Sequence, residues 1–361
     1  LPDVKMEFLK FPFLAQKVII HQIDLDDVFL MSLTNLRVFD VIRRVPWKHV
    51  KAISYKNRRT HTSVLAVKSQ ADSTKVLEIR PSKRSSREIL HLTASSGFNI
   101  TYNLPTDSEA LTILFNDHGV NETSLFVHEH LGKLFGKHLQ FGCILTSYDM
   151  IFLPAVVPIT SNVLILHYNV DPEELNGHVA NMNEQEYLTI SNKMTLLPKN
   201  HQKYMTSKSL YFINTGSLAP DILQRFEGQD VVLLEAKCKV RHVIAFVDSW
   251  KKGNSSNNLK SLRIQLDSAL SFRPETVSNS LKFKHFSVSR DPPRFCRTVR
   301  KYFGAEETLE EHDLTISTYV VRDTDKRVAS ISISEDRFDF CVWNWNERQM
   351  MEQGFIDHDT S

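Results

Sequence analysis

The chain has 361 residues, of which 42% are apolar and 24% are charged, a composition that predicts a globular protein with a sizeable core. Its 44 lysine and arginine residues against 42 aspartate and glutamate residues give a net charge of +2, so no global electrostatic field draws it to nucleic acid or to a membrane surface. No apolar run approaches the roughly 20 residues that span a bilayer, which excludes a predicted transmembrane helix.

The usage of cysteine indicates a reducing compartment. Cys143, Cys238, Cys296 and Cys341 lie far apart and form no C-x-x-C pair, which argues against both a disulfide framework and a zinc site. The start LPDVKMEF also lacks the uninterrupted apolar core of a signal peptide. The sequence therefore predicts a protein of the cytosol, the nucleus or both.

Residues 11–44 are predicted to form three short apolar helices. Pro12 suits the first turn of the first helix, Asp24 stands where the N-cap of the second is expected, and Pro46 ends the third. Helices this short do not hold together alone in water, and a unit of roughly 40 residues without disulfides or metal is below the usual limit for folding alone. The segment is therefore expected to need a further surface to pack against.

The same segment resembles an F-box. In that pattern a proline is followed by isoleucine and leucine seven and eight residues later, by a further leucine, by an acidic turn and by a second apolar helix. The residues that match are Pro12, Ile19, Ile20, Ile23, Asp27, Val28 and Leu33. Three residues depart from the pattern: Phe11 precedes the proline, and Thr34 and Asn35 stand where an apolar residue and cysteine are usual.

The resemblance implies a function and a partner. An F-box docks on the Skp-type adaptor of a cullin–RING ubiquitin ligase, and the rest of the chain holds a protein substrate. By this resemblance the adaptor-binding residues are Pro12, Leu14, Ile19, Ile20, Ile23, Val28 and Leu33. The alternative is that residues 11–44 form an amphipathic helical hairpin packed on its own domain.

Residues 49–110 are predicted to form an antiparallel β-meander. The segments VKAISY, SVLAVK, KVLEIR, EILHLT and GFNITYN are short, rich in β-formers and separated by polar turns. Basic runs at 56–59 and 80–87 fall in the turns, where they are expected to be solvated charge rather than a nucleic-acid site.

Residues 111–289 are predicted to form an irregular leucine-rich-type α/β solenoid. Apolar strand cores begin near residues 139, 162, 186, 209, 230 and 259, a spacing of roughly 20 to 30 residues. Between them lie crossover candidates at 171–182 and 219–228, and a clear helix at 239–252 with Gly253 after it. Strand, crossover and strand in one sense predict parallel pairing.

The region of about 205–270 carries a second resemblance, to the F-box-associated domain of the nematode-type F-box family. The features that carry it are an apolar strand, a polar crossover, the run Asp230-Val-Val-Leu-Leu, a helix ending Phe246-x-x-x-Trp250, Gly253-Asn254, and Leu259-x-x-Leu262. This resemblance implies a substrate-holding region that follows an F-box.

Residues 290–346 are predicted to form an antiparallel β-meander that caps the solenoid. Strands at 314–321, 327–333 and 338–345 alternate strictly, and Ile331, Ile333, Phe338, Phe340 and Val342 lie on faces that need burial. Residues 347–361 are expected to be a polar, frayed tail.

No catalytic or cofactor motif emerges. His128, His130 and His138 are the one local cluster of histidines, but their spacing is not H-E-x-x-H, and they are expected to be exposed on an amphipathic helix. The chain lacks G-x-S-x-G, G-x-G-x-x-G and G-x-x-x-x-G-K-[ST]. Neither a metal nor a cofactor is expected.

The prediction is an α+β protein with an F-box at 8–48, a meander at 49–110, a solenoid at 111–289, a cap at 290–346 and a tail at 347–361. Its predicted function is that of a non-enzymatic substrate receptor of an SCF-type ubiquitin ligase, with a Skp-type adaptor, a cullin and an unknown protein substrate as partners. No membrane or nucleic-acid partner is expected. Two alternatives stay open: a protein-interaction module without ligase association, and an enzyme whose site is assembled from distant residues.

Overall fold

The computed structural model describes residues 8–58, 61–68, 72–81, 90–93, 98–103, 111–115, 119–136, 138–145, 159, 161–164, 183–191, 202–288, 290, 295–299, 308–312 and 318–357. The described residues form a mixture of helices and β-strands, in agreement with the predicted α+β class. The chain divides into two compact units. Unit 1 is Leu1–Ile159 with Phe303–Glu306, and unit 2 is Thr160–Tyr302 with Glu307–Ser361.

The described part of unit 1 begins with a 3-10 turn and three short helices. The turn is Phe8–Lys10, and the helices are α1 (Phe13–Gln22), α2 (Leu25–Thr34) and α3 (Leu36–Ile42). Asp24 stands at the N-cap position of α2, as the sequence predicts, and Pro12 stands at the N-cap of α1, just before the first turn in which it was predicted. Asn35 has a local structural role, since its Oδ1 accepts a hydrogen bond of 2.8 Å from the amide of Arg37 and thereby caps α3.

The sheet of unit 1 is mixed. Its strands are β1 (Ala52–Arg58), β2 (His61–Val67), β3 (Ser73–Pro81), β4 (Leu90–Thr93), β5 (Asn99–Asn103), β6 (Thr112–Phe115) and β7 (Gln140–Leu145), and α4 (Val120–Phe135) connects β6 to β7. The order is β7-β1-β2-β3-β6-β5-β4. β1, β2 and β3 pair as the predicted antiparallel meander, but the meander does not continue from β3 to β4, because β6 lies between β3 and β5. β6 is parallel to β3, and β7 is parallel to β1. Alternation in sequence indicates a strand but not its partner, so it did not reveal these two parallel pairs.

Five strands of unit 2 are parallel neighbours in chain order. They are β8 (Ser161–Leu164), β9 (Tyr187–Ile190), β10 (Ser209–Phe212), β11 (Asp230–Ala236) and β12 (Ser261–Leu266). The connections carry α5 (Gln202–Met205), α6 (Ala219–Arg225) and α7 (Val240–Lys251). The predicted crossovers at 219–228 and 239–252 therefore contain helices, whereas the one predicted at 171–182 lies outside the described residues.

Two apolar rows cross these parallel strands and form the core of unit 2. Paired residues of successive strands align as Leu188, Leu210, Val231, Leu262 and Phe340 in one row, and as Ile190, Phe212, Leu233, Ile264 and Phe338 in the other. All ten side chains are buried. From α7, Phe246 and Trp250 pack edge-on against Phe340 with ring centroids 5.3 and 5.0 Å away. Gly253 then ends the helix with a φ of +71°, which glycine adopts without strain.

Antiparallel strands continue the sheet of unit 2 beyond β12. They are β13 (Lys284–His285), β16 (Thr318–Val321), β17 (Arg327–Ile333) and β18 (Arg337–Asn346), in the order β12-β18-β17-β16-β13. A separate ribbon pairs β14 (Phe295–Val299) with β15 (Thr308–His312). The three predicted strands at 314–345 are thus antiparallel neighbours, and of the residues that were predicted to need burial only Ile333 is half-exposed.

The expectation of a frayed tail is wrong for residues 347–357. Helix α8 is Pro274–Leu281. Residues Glu347–Glu352 form a further helix, α9. Asn346 and Gln349 cap α9 by exchanging two hydrogen bonds of 2.9 Å. Met350, Phe355 and Ile356 are buried in a cluster with Tyr319 and Trp343, and this burial is what orders the segment.

Candidate partner-docking surface

Helix α1 is apolar on two opposite faces. On one face Ile20 is fully buried and Gln16 is nearly so, with the Gln16 Nε2 donating a hydrogen bond of 3.2 Å to the carbonyl of Phe8. On the other face Leu14 and Val18 lie one turn apart and are 74% and 62% exposed.

Exposed apolar surface is concentrated at this end of the chain. Among the described residues, eight large apolar side chains are exposed, and six of these lie within residues 9–36. The six are Leu9, Phe11, Phe13, Leu14, Val18 and Leu36. Helices α1 and α3, which carry four of them, contact each other. We call these six residues the amino-terminal apolar surface; such surfaces commonly mark interaction sites.

The other side of the three helices is held by unit 1 itself. α2 contacts strands β3 and β4, and Ser32 of α2 is hydrogen-bonded to the Nε2 of His130 in α4 at 2.7 Å. Trp47, which follows α3, packs edge-on against Phe135 of α4 with ring centroids 5.2 Å apart. The further surface that these helices were expected to need is therefore provided in part by their own chain.

The seven sequence-predicted adaptor-binding residues fall into two groups. Pro12 and Leu14 are exposed, and Ile19 and Ile23 are half-exposed. In contrast, Ile20, Val28 and Leu33 are at most 2% exposed, because they pack into the core of unit 1. A partner that docks on the folded chain can contact only the first group.

Sequence reasoning did not assign Val18 or Leu36 to the docking surface. The signal for Val18 was present, since Leu14 and Val18 are four residues apart and so share a face opposite to Gln16 and Ile20. For Leu36 there was no comparable signal, because only the packing of α3 against α1 and α2 shows which of its apolar residues face outward.

Charged residues lie close to this surface along the chain. Arg37, Arg43 and Arg44 are exposed on and after α3, and Arg43 pairs with Asp40 at 3.0 Å. The first turn of α2 is acidic, and burial together with the neighbouring carboxylates of Asp26 and Asp24 raises the pKa of Asp27. These charges flank an apolar centre, as in the rim of a protein interface.

The expectation of exposed histidines on α4 is wrong for His128 and His130, which are 8% and 9% exposed. His128 is hydrogen-bonded to the hydroxyl of Tyr55 at 3.0 Å, and His130 to Ser32. Burial lowers the pKa of each histidine to about 4, so both are neutral at physiological pH. α4 turns this side of the helix to the sheet and to α2, which is why periodicity alone misjudged them.

One cysteine and one histidine approach each other in unit 2, a pair that sequence reasoning overlooked although the two are four residues apart. The Sγ of Cys238 lies 4.0 Å from the Nδ1 of His242. Burial raises the pKa of the Cys238 thiol to about 12, so it is not a thiolate at neutral pH and lacks the reactivity of a catalytic cysteine. Within the described ranges no three metal-ligating side chains converge.

No protein-family model, no curated protein and no solved structure matches this chain. In the part of the chain that the structure describes, none of the helices is long and apolar enough to cross a membrane.

Proposed function

We propose that this protein is a substrate-receptor subunit of an SCF-type ubiquitin ligase and docks on a Skp-type adaptor through the amino-terminal apolar surface. The observation that carries the proposal is the exposure of Leu14 and Val18 on α1, within a segment that resembles an F-box. Covering large apolar side chains stabilises a complex by roughly 1.5–3 kcal/mol for each one that becomes fully buried.

The seven residues predicted to bind the adaptor then have two roles. Pro12, Leu14, Ile19 and Ile23 contact the adaptor, with Val18 added to them because of its exposure. Ile20, Val28 and Leu33 hold the helices on unit 1 from the inside. An interface of this kind buries on the order of 1,200–2,000 Å² in total.

The proposed mechanism is proximity. The adaptor and cullin bring the chain next to the RING subunit and its ubiquitin-loaded enzyme, and unit 2 presents the target protein to them. In this proposal the parallel strands β8 to β12 form a leucine-rich-type solenoid with the F-box-associated region at about 205–270, and β16 to β18 cap it. No catalytic residue of this chain takes part, and the complex acts in the cytosol or nucleus.

The test places charges on the exposed face of α1. We expect the double variant Leu14→Asp, Val18→Asp to lose adaptor capture in a pull-down, because an unpaired carboxylate in a dry interface is strongly unfavourable. A charge at Ile20 is unsuitable, since that side chain is fully buried and the variant would fail to fold. Circular dichroism checks that the double variant keeps its fold.

The matched control is Leu270→Asp, Val288→Asp. These residues are the two other exposed large apolar side chains of the described chain, and they lie in unit 2. Adaptor capture should survive in the control. Capture by the α1 variant, or loss of capture in both variants, would overturn the proposed docking surface. Wild-type chain that retains other proteins but no adaptor would favour an interaction module without ligase association.

A further inference from the structure

The loops at the carboxyl ends of strands β9 to β12 form a rim that backbone and side-chain hydrogen bonds hold in place. The Nδ2 of Asn214 donates to the carbonyl of Ser191 at 2.6 Å, which joins the loops after β9 and β10. The amide of Asp267 donates to the carbonyl of Ala236 at 3.1 Å, which joins the loops after β11 and β12. Three backbone hydrogen bonds join the loop after β10 to the end of β11 and the residue after it: Thr215 N to Leu234 O, Gly216 N to Glu235 O, and Lys237 N to Gly216 O.

The backbone of this rim is strained at one residue. β11 has a register irregularity between Leu233 and Ala236, and Glu235 within it has a φ of +51°, which is unfavourable for a residue with a side chain. Bulges of this kind redirect the side chains that follow, and strained backbone is concentrated at functional sites. Loops at this edge of a parallel sheet are also the usual position of ligand sites.

Three exposed cations follow the irregularity at alternate positions: Lys237, Lys239 and Arg241, which we call the basic rim. Within the described residues none of them forms an ion pair, whereas Arg263, Arg322, Arg327 and Arg337 all pair with aspartates. The nearest carboxylates along the rim are Glu235, which is exposed, and Asp267, whose Oδ1 accepts a hydrogen bond from the amide of Ala269.

The pKa of His242 depends on the positive charges of the basic rim. Its Nε2 lies 3.3 Å from the Nε of Arg241, and its Nδ1 accepts a hydrogen bond of 3.2 Å from the amide of Lys239. Burial first, and then the charges of Arg241 and Lys239, lower the pKa of His242. A bound anion would offset those charges.

We propose that the basic rim binds an extended acidic segment of a partner protein, whose carboxylate or phosphate groups pair with Lys237, Lys239 and Arg241. Acidic groups at alternate positions of an extended peptide are roughly 7 Å apart, so one such segment presents a row of negative charges to the three cations of the basic rim. Only the identification of that partner as the target of a ligase rests on the proposed function. The fixed loops avoid part of the ordering cost of binding.

The experiment measures binding of fluorescently labelled peptides to the full chain by anisotropy. One peptide alternates glutamate with serine, and a second alternates phosphoserine with serine. We expect either or both to bind, and the triple variant Lys237→Gln, Lys239→Gln, Arg241→Gln to lower the affinity about tenfold. The control Lys251→Gln, Lys252→Gln, Lys260→Gln removes the same charge from the carboxyl end of α7 and from the residue before β12, and it should change the affinity less than about twofold.

A second readout follows the imidazole of His242 by NMR, and its pKa should rise when peptide is added to the wild-type chain. Equal losses in the two triple variants would overturn the proposal, since they would mean unspecific charge attraction. Failure of both peptides to bind, or tighter binding of a single-stranded RNA oligonucleotide through the same residues, would also overturn it. The assay contains no adaptor, so these outcomes leave the proposed adaptor docking untouched.

Discussion

His130 lies where α2, α3 and α4 meet. Its ring centroid is 5.3 Å from that of Phe29 and 5.1 Å from that of Phe39. Since the hydroxyl of Ser32 donates to the carbonyl of Phe29 at 2.5 Å, the Nε2 of His130 carries a hydrogen and donates to the Ser32 oxygen. The hydrogen bond from this neutral imidazole therefore helps to hold the amino-terminal helices against the rest of unit 1.

This histidine predicts a pH dependence of stability. Its pKa is about 4 in the folded chain against 6.5 as the ordinary value, so the unfolded state binds more protons between these limits. The stabilisation is complete above pH 6.5 and is lost as the pH falls toward 4, by up to roughly 3 kcal/mol. Denaturant unfolding at a series of pH values measures it.

The variant His130→Gln retains a hydrogen-bond donor but does not titrate. We expect its free energy of unfolding to fall less steeply between pH 6.5 and pH 4 than that of the wild type. Identical slopes would contradict the assignment of this titration to His130. Its histidine neighbour His128, also with a pKa of about 4, should retain its own share of the slope.

At the scale of elements, α1 shows that hydrophobic periodicity predicts a helix but not which of its faces is exposed. The sequence correctly predicts α1, α2 and α3 and the start of α2 after Asp24, whereas α3 ends at Ile42, before the break predicted at Pro46. It does not predict which apolar residues face outward, because Leu14 and Ile20 both lie on apolar faces of α1 and the sequence does not show which face is buried. That choice is made by the contact between α1 and α3, which the periodicity of α1 alone does not reveal.

The two faces of α1 should respond differently to truncation. Ile20→Ala removes buried methyl groups and should lower the free energy of unfolding by about 2–4 kcal/mol. Leu14→Ala alters an exposed side chain and should change it by less than about 0.5 kcal/mol. Chemical denaturation of the two variants checks both values, and a large loss for Leu14→Ala would mean that this face is already covered.

At the scale of the whole molecule, local patterns predict strands better than pairings. All six predicted strand cores from residue 139 to residue 266 contain a strand, and β9 to β12 are parallel as the crossovers indicate. The parallel pairs β1–β7 and β3–β6 depend on contacts between distant segments and left no signal in the sequence. The burial of Phe355 and Ile356 was missed for the same reason, since a short polar segment gives no periodicity to read.

The same limit applies to the candidate site. A family resemblance pointed to residues 11–44, but a resemblance transfers a docking role and nothing about the target. The basic rim was not recognised from sequence, because Lys237, Lys239 and Arg241 are ordinary surface cations until the loops after β10 and β11 are seen to be joined. Three-dimensional packing, rather than residue type, distinguishes them.

The most direct test of the account is a titration of the full chain with a purified Skp-type adaptor, combined with hydrogen exchange on α1. We expect a complex with a dissociation constant below about 1 μM and slower exchange of the α1 amides when the adaptor is bound. Absence of a complex at about 100 μM adaptor, or a complex that leaves the exchange of α1 unchanged, would contradict the proposal that the amino-terminal apolar surface is the docking site.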